Sequence, residues 1–171
     1  MPIDAETRLQ EHPDDHKDEL RLWLRLLTCT TMIEAEIRTR LRARFGVTLP
    51  RFDLMAQLEK SADGMTLGAL SRRMMVSNGN ITGLVKSLAV DGMVERISQQ
   101  TDRRTALVRL TCKGRASFAA MAGEHGDWIG EIFAGLTHSD RELLMEHLAT
   151  MKVSARNAIA AEMPVSGEQR C

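Results

Sequence analysis

Residues 66–111 constrain the fold more than any other stretch, because the hydrophobic period changes there from helical to strand-like. Thr66 stands before a short helical pattern bearing Leu67, Leu70 and Met74. Its hydroxyl is placed to take one of the backbone N–H groups that every helix start leaves unpaired. Val76-Ser77 interrupts the pattern, and Ser77 caps a second helix that puts Ile81, Leu84, Val85 and Leu88 on one face. Gly92 falls where a left-handed residue closes such a helix. Val94–Ile97 and Ala106–Leu110 then read as strands, separated by the polar residues 98–105 with Asp102-Arg103-Arg104 among them. Two helices joined by a tight turn and followed by a hairpin with a cationic tip predict a winged helix-turn-helix.

The rest of the chain is helical. From Asp18 to about Arg44, Leu20, Trp23, Leu24 and Leu27 fall at i, i+3, i+4 and i+7, and Ile33, Ile37 and Leu41 continue at four-residue steps. Gly46 ends that helix. Pro50 opens the next at its first position, with Phe52, Met55 and Leu58 inside it to about Lys60. Ala62-Asp63-Gly64 is a turn. Thr111 caps a long helix to about Phe133 carrying Phe118, Met121, Trp128, Ile129 and Ile132. Gly123, Gly126 and Gly130 weaken it by up to about 1 kcal/mol each against alanine, which favours a bend or break near Gly126. Thr137 with Asp140 at the third helical position approaches a capping box for a last helix. Leu144, Leu148 and Met151 form the stripe expected to be buried there.

The predicted fold class is therefore mainly α, with a winged helix-turn-helix between long N- and C-terminal helices. The predicted organisation is a polar arm over residues 1–17, helical dimerisation segments over 18–47 and 112–160, a DNA-binding domain over 48–111 and a flexible tail over 161–171. Dimerisation is expected because the apolar helices at both ends exceed what one winged domain can cover.

At 171 residues the chain is large enough to bury a core, and 43% apolar content fits a globular protein. Basic and acidic side chains balance to zero overall, but unevenly. The balance is −5 over residues 1–20, +4 over 21–60, +5 over 61–115 and −4 over 116–171. Positive charge gathers around the reading motif, and the local field decides phosphate contacts because screening acts over about 8 Å at physiological salt. No apolar run approaches the length of about 20 residues that spans a bilayer. The acidic N-terminus lacks the apolar region of a signal peptide, so no membrane partner and a cytoplasmic location are expected.

The helix after Ser77 leaves one polar face for reading: Asn78, Gly79, Asn80, Thr82, Gly83 and Lys86. Asparagine pairs bidentately with adenine, threonine meets a base edge or thymine methyl, and lysine reaches guanine or phosphate. A helix face selected only for stability would use glutamate, lysine and alanine instead of asparagine and glycine. Ser77 to Lys86 is thus the expected major-groove surface, with Thr66, Arg72 and Arg73 near phosphates. At the hairpin tip, Arg104 is the expected minor-groove probe, Arg103 faces phosphate and Asp102 orients them, since a narrow minor groove favours an inserted arginine.

These residues carry a resemblance. Leu67-Gly68-Ala69-Leu70-Ser71, Ser77-Asn78-Gly79-Asn80-Ile81-Thr82, Leu84-Val85-Lys86-Ser87-Leu88, Asp91-Gly92-Met93-Val94, Asp102-Arg103-Arg104 and Leu110-Thr111-Cys112-Lys113-Gly114 stand in an order and spacing similar to the MarR family of transcriptional regulators. The similarity extends over about residues 18–155. It implies a homodimer on a pseudo-palindromic double-stranded DNA operator. It also implies a repressor released by a small anionic effector, an aromatic carboxylate or aromatic acyl thioester, bound between the dimer helices and the winged domain. Residues expected around that effector are Arg21, Trp23, Arg25, Leu27, Thr30, Thr31, Arg38, Phe52 and Met55. Eleven methionines supply adaptable packing for a bulky ligand.

Other readings compete with this one. Cys29, Cys112 and Cys171 are widely spaced and offer neither a disulfide framework nor a thiolate zinc site. Cys29, inside an apolar run, is expected to be buried, and a redox-sensing regulator acting through it is the sharper alternative. His12-Pro13-Asp14-Asp15-His16 has ligand-type residues but a proline against helix and no supporting shell. His125, His138 and His147 are expected on solvent faces. With no nucleophile elbow, phosphate loop or HExxH, the chain is expected to be no enzyme and to need no metal or cofactor. A winged-helix interaction module without DNA is the remaining alternative.

Overall fold

The computed structural model describes residues 18–98 and 106–161. Their element order is α1 (Asp18–Phe45), α2 (Leu49–Glu59), β1 (Met65–Thr66), α3 (Leu67–Met74), α4 (Asn78–Val90), β2 (Val94–Ser98), β3 (Ala106–Leu110), α5 (Cys112–Ile132) and α6 (His138–Ala161). The fold is mainly helical with one small antiparallel sheet, a winged helix-turn-helix with long helices toward both ends. The chain divides into two compact units between Ile129 and Gly130.

In the first unit, Thr66 and Ser77 cap α3 and α4 as the sequence predicts. The Thr66 hydroxyl accepts from the Ala69 N–H at 3.1 Å, and the Ser77 hydroxyl from the Asn80 N–H at 3.3 Å. The turn between them is made by Met75, the one non-glycine residue with a left-handed backbone among those described (φ 54°). Its N–H returns to the Ser71 carbonyl, so α3 ends in a helix-closing bond despite the β-carbon. Thr48 stands at the N-cap position of α2 without a side-chain bond, which makes Leu49 the first helical residue and Pro50 the second, one position later than the sequence reading.

The sheet has the order β1-β3-β2. Val94 faces Leu110 and Arg96 faces Val108 across the β2–β3 pair. Val94, Val108 and Leu110 are buried because alternate strand positions turn to the same side. β1 was not expected. Its two residues pair with Leu107 and Val108, too short a strand to register as a period.

Leu41, Leu54, Met55, Leu58, Leu70, Ile81, Val85, Leu88, Met121 and Val108 are almost wholly buried and form the core of this unit. Each leucine-sized side chain removed from water contributes about 1.5–3 kcal/mol. Gly114 sits where a β-carbon would stand 1.9 Å from the Met93 carbonyl oxygen, so only glycine lets the start of α5 pack against that backbone. Despite Gly123 and Gly126, α5 runs without a break from Cys112 to Ile132, which corrects the expected interruption. Trp128 and Phe45 pack with ring centroids 6.3 Å apart, and Arg40 lies over the Trp128 ring. Packing outweighs a propensity cost of this size.

The second unit contains α6. Its start is a reciprocal cap: the Thr137 N–H donates to Asp140 at 3.0 Å, and the Asp140 N–H to the Thr137 hydroxyl at 3.2 Å. The Thr137 hydroxyl also donates to the Asp140 carboxylate at 2.6 Å, and this bond, helped by the Thr137 N–H, holds the Asp140 carboxyl below the usual carboxylate range. The expected buried stripe is not buried: Leu144, Leu148 and Met151 are 44%, 38% and 38% exposed. The periodicity identified the helix and its apolar face correctly, and the side chains of that face are exposed.

Candidate nucleic-acid interface and adjoining cavity

Helix α4 is two-sided. Ile81, Val85 and Leu88 are buried, while Ser77, Asn78, Gly79, Asn80, Thr82, Gly83 and Lys86 are exposed. The Thr82 hydroxyl donates to the Asn78 carbonyl at 2.9 Å, which leaves its lone pairs and methyl facing outward. Among the described residues the Asn78 and Asn80 amides and the Lys86 ammonium form no hydrogen bond or ion pair within the chain. Arg72 and Arg73 are exposed in the last turn of α3, with Arg73 Nη1 3.7 Å from Met65 Sδ. Thr66 spends its hydroxyl acceptor on the α3 cap. Asp102, Arg103 and Arg104 lie outside the described residues; β2 and β3 are the strands that lead to them. Arg109 donates to Glu95 at 2.6 Å across those strands.

The far end of α4 is tied down by residues that sequence reading missed. The Arg51 guanidinium, on α2, pairs with the Asp91 carboxylate just past α4. Lys113 Nζ donates to the Asp91 carbonyl at 2.8 Å. Gly92, at φ +70°, lets the chain reverse there. Three elements thus converge on the exit of the exposed helix.

A second feature lies between α1, α2 and α5. A cavity of about 500 Å³ is bounded by Thr30, Ile33, Glu34 and Ile37 from α1, Leu49 and Asp53 from α2, and His125 and Ile129 from α5. Behind it, the Phe52 ring lies 5.0 Å from the His125 ring and 5.5 Å from Phe118. His125 is therefore half-buried against an aromatic cluster, not on a solvent face as expected; His138 and His147 are exposed. Burial pushes the Asp53 carboxyl up, opposed by nearby His125 and reinforced by Glu34.

Comparison with known proteins decides the family. Residues 45–105, which hold α2, β1, α3, α4 and β2, match the sequence profile of the MarR family. The transcriptional activatory protein BadR of Rhodopseudomonas palustris is 33% identical over 140 residues, covering 76% of this chain and 79% of BadR. This chain belongs to the MarR family. A crystal structure of a MarR family transcriptional regulator from Silicibacter pomeroyi superposes with a TM-score of 0.70 at 30% identity, covering 83% of this chain and 98% of that one. The HTH-type transcriptional regulator YdgJ of Bacillus subtilis, whose own function is uncharacterised, is 29% identical, covering 71% of this chain and 73% of YdgJ. The chain is accordingly a MarR-family DNA-binding transcriptional regulator.

Among the effector residues expected in this MarR protein, the fold separates what the sequence grouped. Thr30 lines the cavity. Phe52 and Met55 are 6% and 1% exposed and serve the core around it. Arg38 is turned to Glu34 in an ion pair one helical turn away. Arg21 and Arg25 flank a separate groove of about 310 Å³ along α1 with Asp18 and Leu22, where Arg21 lies 3.6 Å from Asp18. Trp23, Leu27 and Thr31 are exposed on α1. Cys29 is exposed as well, correcting the expectation that it is buried: it faces outward from α1 in the single chain.

No described helix is long and apolar enough to cross a membrane. No group of three or more histidine, cysteine, aspartate or glutamate side chains among the described residues is placed to hold a metal ion. His12 and His16 lie outside the described residues.

Proposed function

We propose that two copies of this MarR protein grip a pseudo-palindromic operator, each laying α4 into a major groove and its wing tip into the neighbouring minor groove. The observation that carries this is the two-sidedness of α4. Its apolar residues are spent on the core, and Asn78, Asn80, Thr82 and Lys86 stand outward with their polar groups available. Arg103 and Arg104 act at the tip, with Asp102 holding them; Arg72, Arg73 and the Thr66 turn lie along phosphates. Two-fold symmetry places the paired helices about 34–36 Å apart.

The exposed apolar stripes support self-association. Leu20, Trp23 and Leu27 on α1 are 42%, 56% and 45% exposed, and Leu144, Leu148 and Met151 continue the pattern on α6. Exposed apolar residues repeating along a helix are the ordinary mark of a partner surface. Residues 18–47 and 112–160 are thus the dimerisation segments of a cytoplasmic homodimer, and 48–111 is the reading domain.

An effector, an aromatic carboxylate or its acyl thioester, releases the operator by binding one conformer better than the other. Arg21 and Arg25, beside their groove on α1, are the cations suited to its anionic end. Repression follows where the operator overlaps a promoter. Activation is the second reading, favoured by the likeness to BadR, a transcriptional activatory protein.

Gel shift with the gene's own upstream DNA tests the reading face. Wild type forms a complex that weakens steeply with salt, and Asn80→Ala and Arg104→Ala each weaken it by about 1–3 kcal/mol. Equal binding by both variants places the reading face elsewhere. A monomer in sedimentation that still footprints one half-site removes the dimer.

A further inference from the structure

We infer that the cavity between α1, α2 and α5 binds an organic cation, a protonated amine on an apolar body, with Asp53 as its counter-charge. This goes beyond the anionic effector proposed above and concerns a cavity other than the Arg21–Arg25 groove.

The lining divides into apolar wall and polar groups. Ile33, Ile37, Leu49 and Ile129 supply the wall, and no lysine or arginine stands among the lining residues. Two of the polar groups are occupied. The Thr30 hydroxyl donates back to the Leu26 carbonyl at 2.7 Å, and Glu34 is paired with Arg38. Asp53 is different: among the described residues its carboxyl takes no hydrogen bond and no salt bridge, although it is half-buried.

A carboxylate half out of water with no donor among the described residues is penalised, and burial pushes its pKa up accordingly. An ammonium group supplies opposite charge and up to three donors at once. Its apolar body meets the isoleucine and leucine wall. An aromatic carboxylate entering here adds a further negative charge beside Glu34 and Asp53 and brings no donor.

Titration calorimetry on the full chain near neutral pH tests this with three probes sharing one ring: phenethylamine, phenethyl alcohol and phenylacetate. Phenethylamine is expected to bind about tenfold or more tightly than either of the others. Asp53→Asn is expected to weaken it by about 10- to 100-fold, the range for losing a hydrogen bond to a charged group. Asp53 has no hydrogen bond or salt bridge among the described residues to lose, so the variant should keep its helical content and unfold at a Tm no lower than wild type. Thr30→Lys, at the exposed lip, gives an independent arm: a cation there should also weaken the amine.

Phenylacetate binding as well as phenethylamine, no amine binding at millimolar concentration, or unchanged amine affinity in both variants overturns the inference. Those results, with operator binding intact, leave the regulator reading standing. Loss of wild-type operator binding with the amine still bound sinks the regulator reading alone.

Discussion

Helix α4 draws every side chain it presents from thirteen consecutive residues, whereas the neighbouring cavity takes its lining from positions as distant as Thr30 and Ile129. The two regions share one core but use it differently. The reading face is polar side chains standing on a buried stripe, and its chemistry is already present in the local order of residues. The cavity is a space left where three helices meet, and its chemistry exists only once Asp53 and His125 have been brought together. A local surface can change its side chains with little effect on the fold. A cavity wall is also core, and changing it disturbs both.

That contrast is sharpest in stability. Phe52→Ala removes the ring that backs the cavity against both Phe118 and His125, and should cost about 3–5 kcal/mol in denaturant unfolding. A loss below about 1 kcal/mol would show that the cavity wall is not core, and the contrast would fail. Asp91→Ala comes next, since it leaves the largely buried Arg51 guanidinium without its carboxylate. Arg51 Nε is already buried without a partner, and Lys113 bonds only to the Asp91 backbone, which the variant keeps. A loss of about 1–2 kcal/mol is expected, discounted because Asp91 is partly in solvent, together with weaker operator binding. Unchanged operator affinity would separate the tie from the reading helix.

Asn80→Ala should leave unfolding within about 0.5 kcal/mol of wild type, because its exposed amide forms no hydrogen bond among the described residues. A larger loss would make Asn80 a structural residue. The smallest effect concerns pH. The folded-state pKa of Asp53 is raised, so the folded protein holds that proton more tightly than the unfolded chain. Stability should therefore fall as pH rises from the ordinary aspartate value through the raised one. Asp53→Asn should flatten this part of the stability–pH curve, and an unaltered curve would show that Asp53 is fully solvated.

Legibility followed the same division. The caps Thr66 and Ser77, the reversal at Gly92 and the strands from Val94 and Ala106 were readable because each depends on a few neighbouring residues and one period. The Thr137–Asp140 cap was readable for the same reason. The two-residue β1 and the left-handed Met75 were not, since neither leaves a pattern. Arg51 and Asp91 are forty positions apart, and only their meeting gives either a role. His125 looked like one more solvent-facing histidine until α5 placed it on Phe52. Gly123 and Gly126 suggested a break because propensity was the only term visible, and packing along α5 overrode it.

From its residues alone, this protein's winged architecture, its family resemblance and the identity of its outward-facing polar helix were determined, because those rest on short-range periodicity and capping. Tertiary structure decided that Phe52 and Met55 are core, that Asp53 is half-buried near His125, and that the apolar face of α6 is exposed. The physical reason is that burial and charge pairing depend on which distant segments come into contact, and no local spacing encodes that.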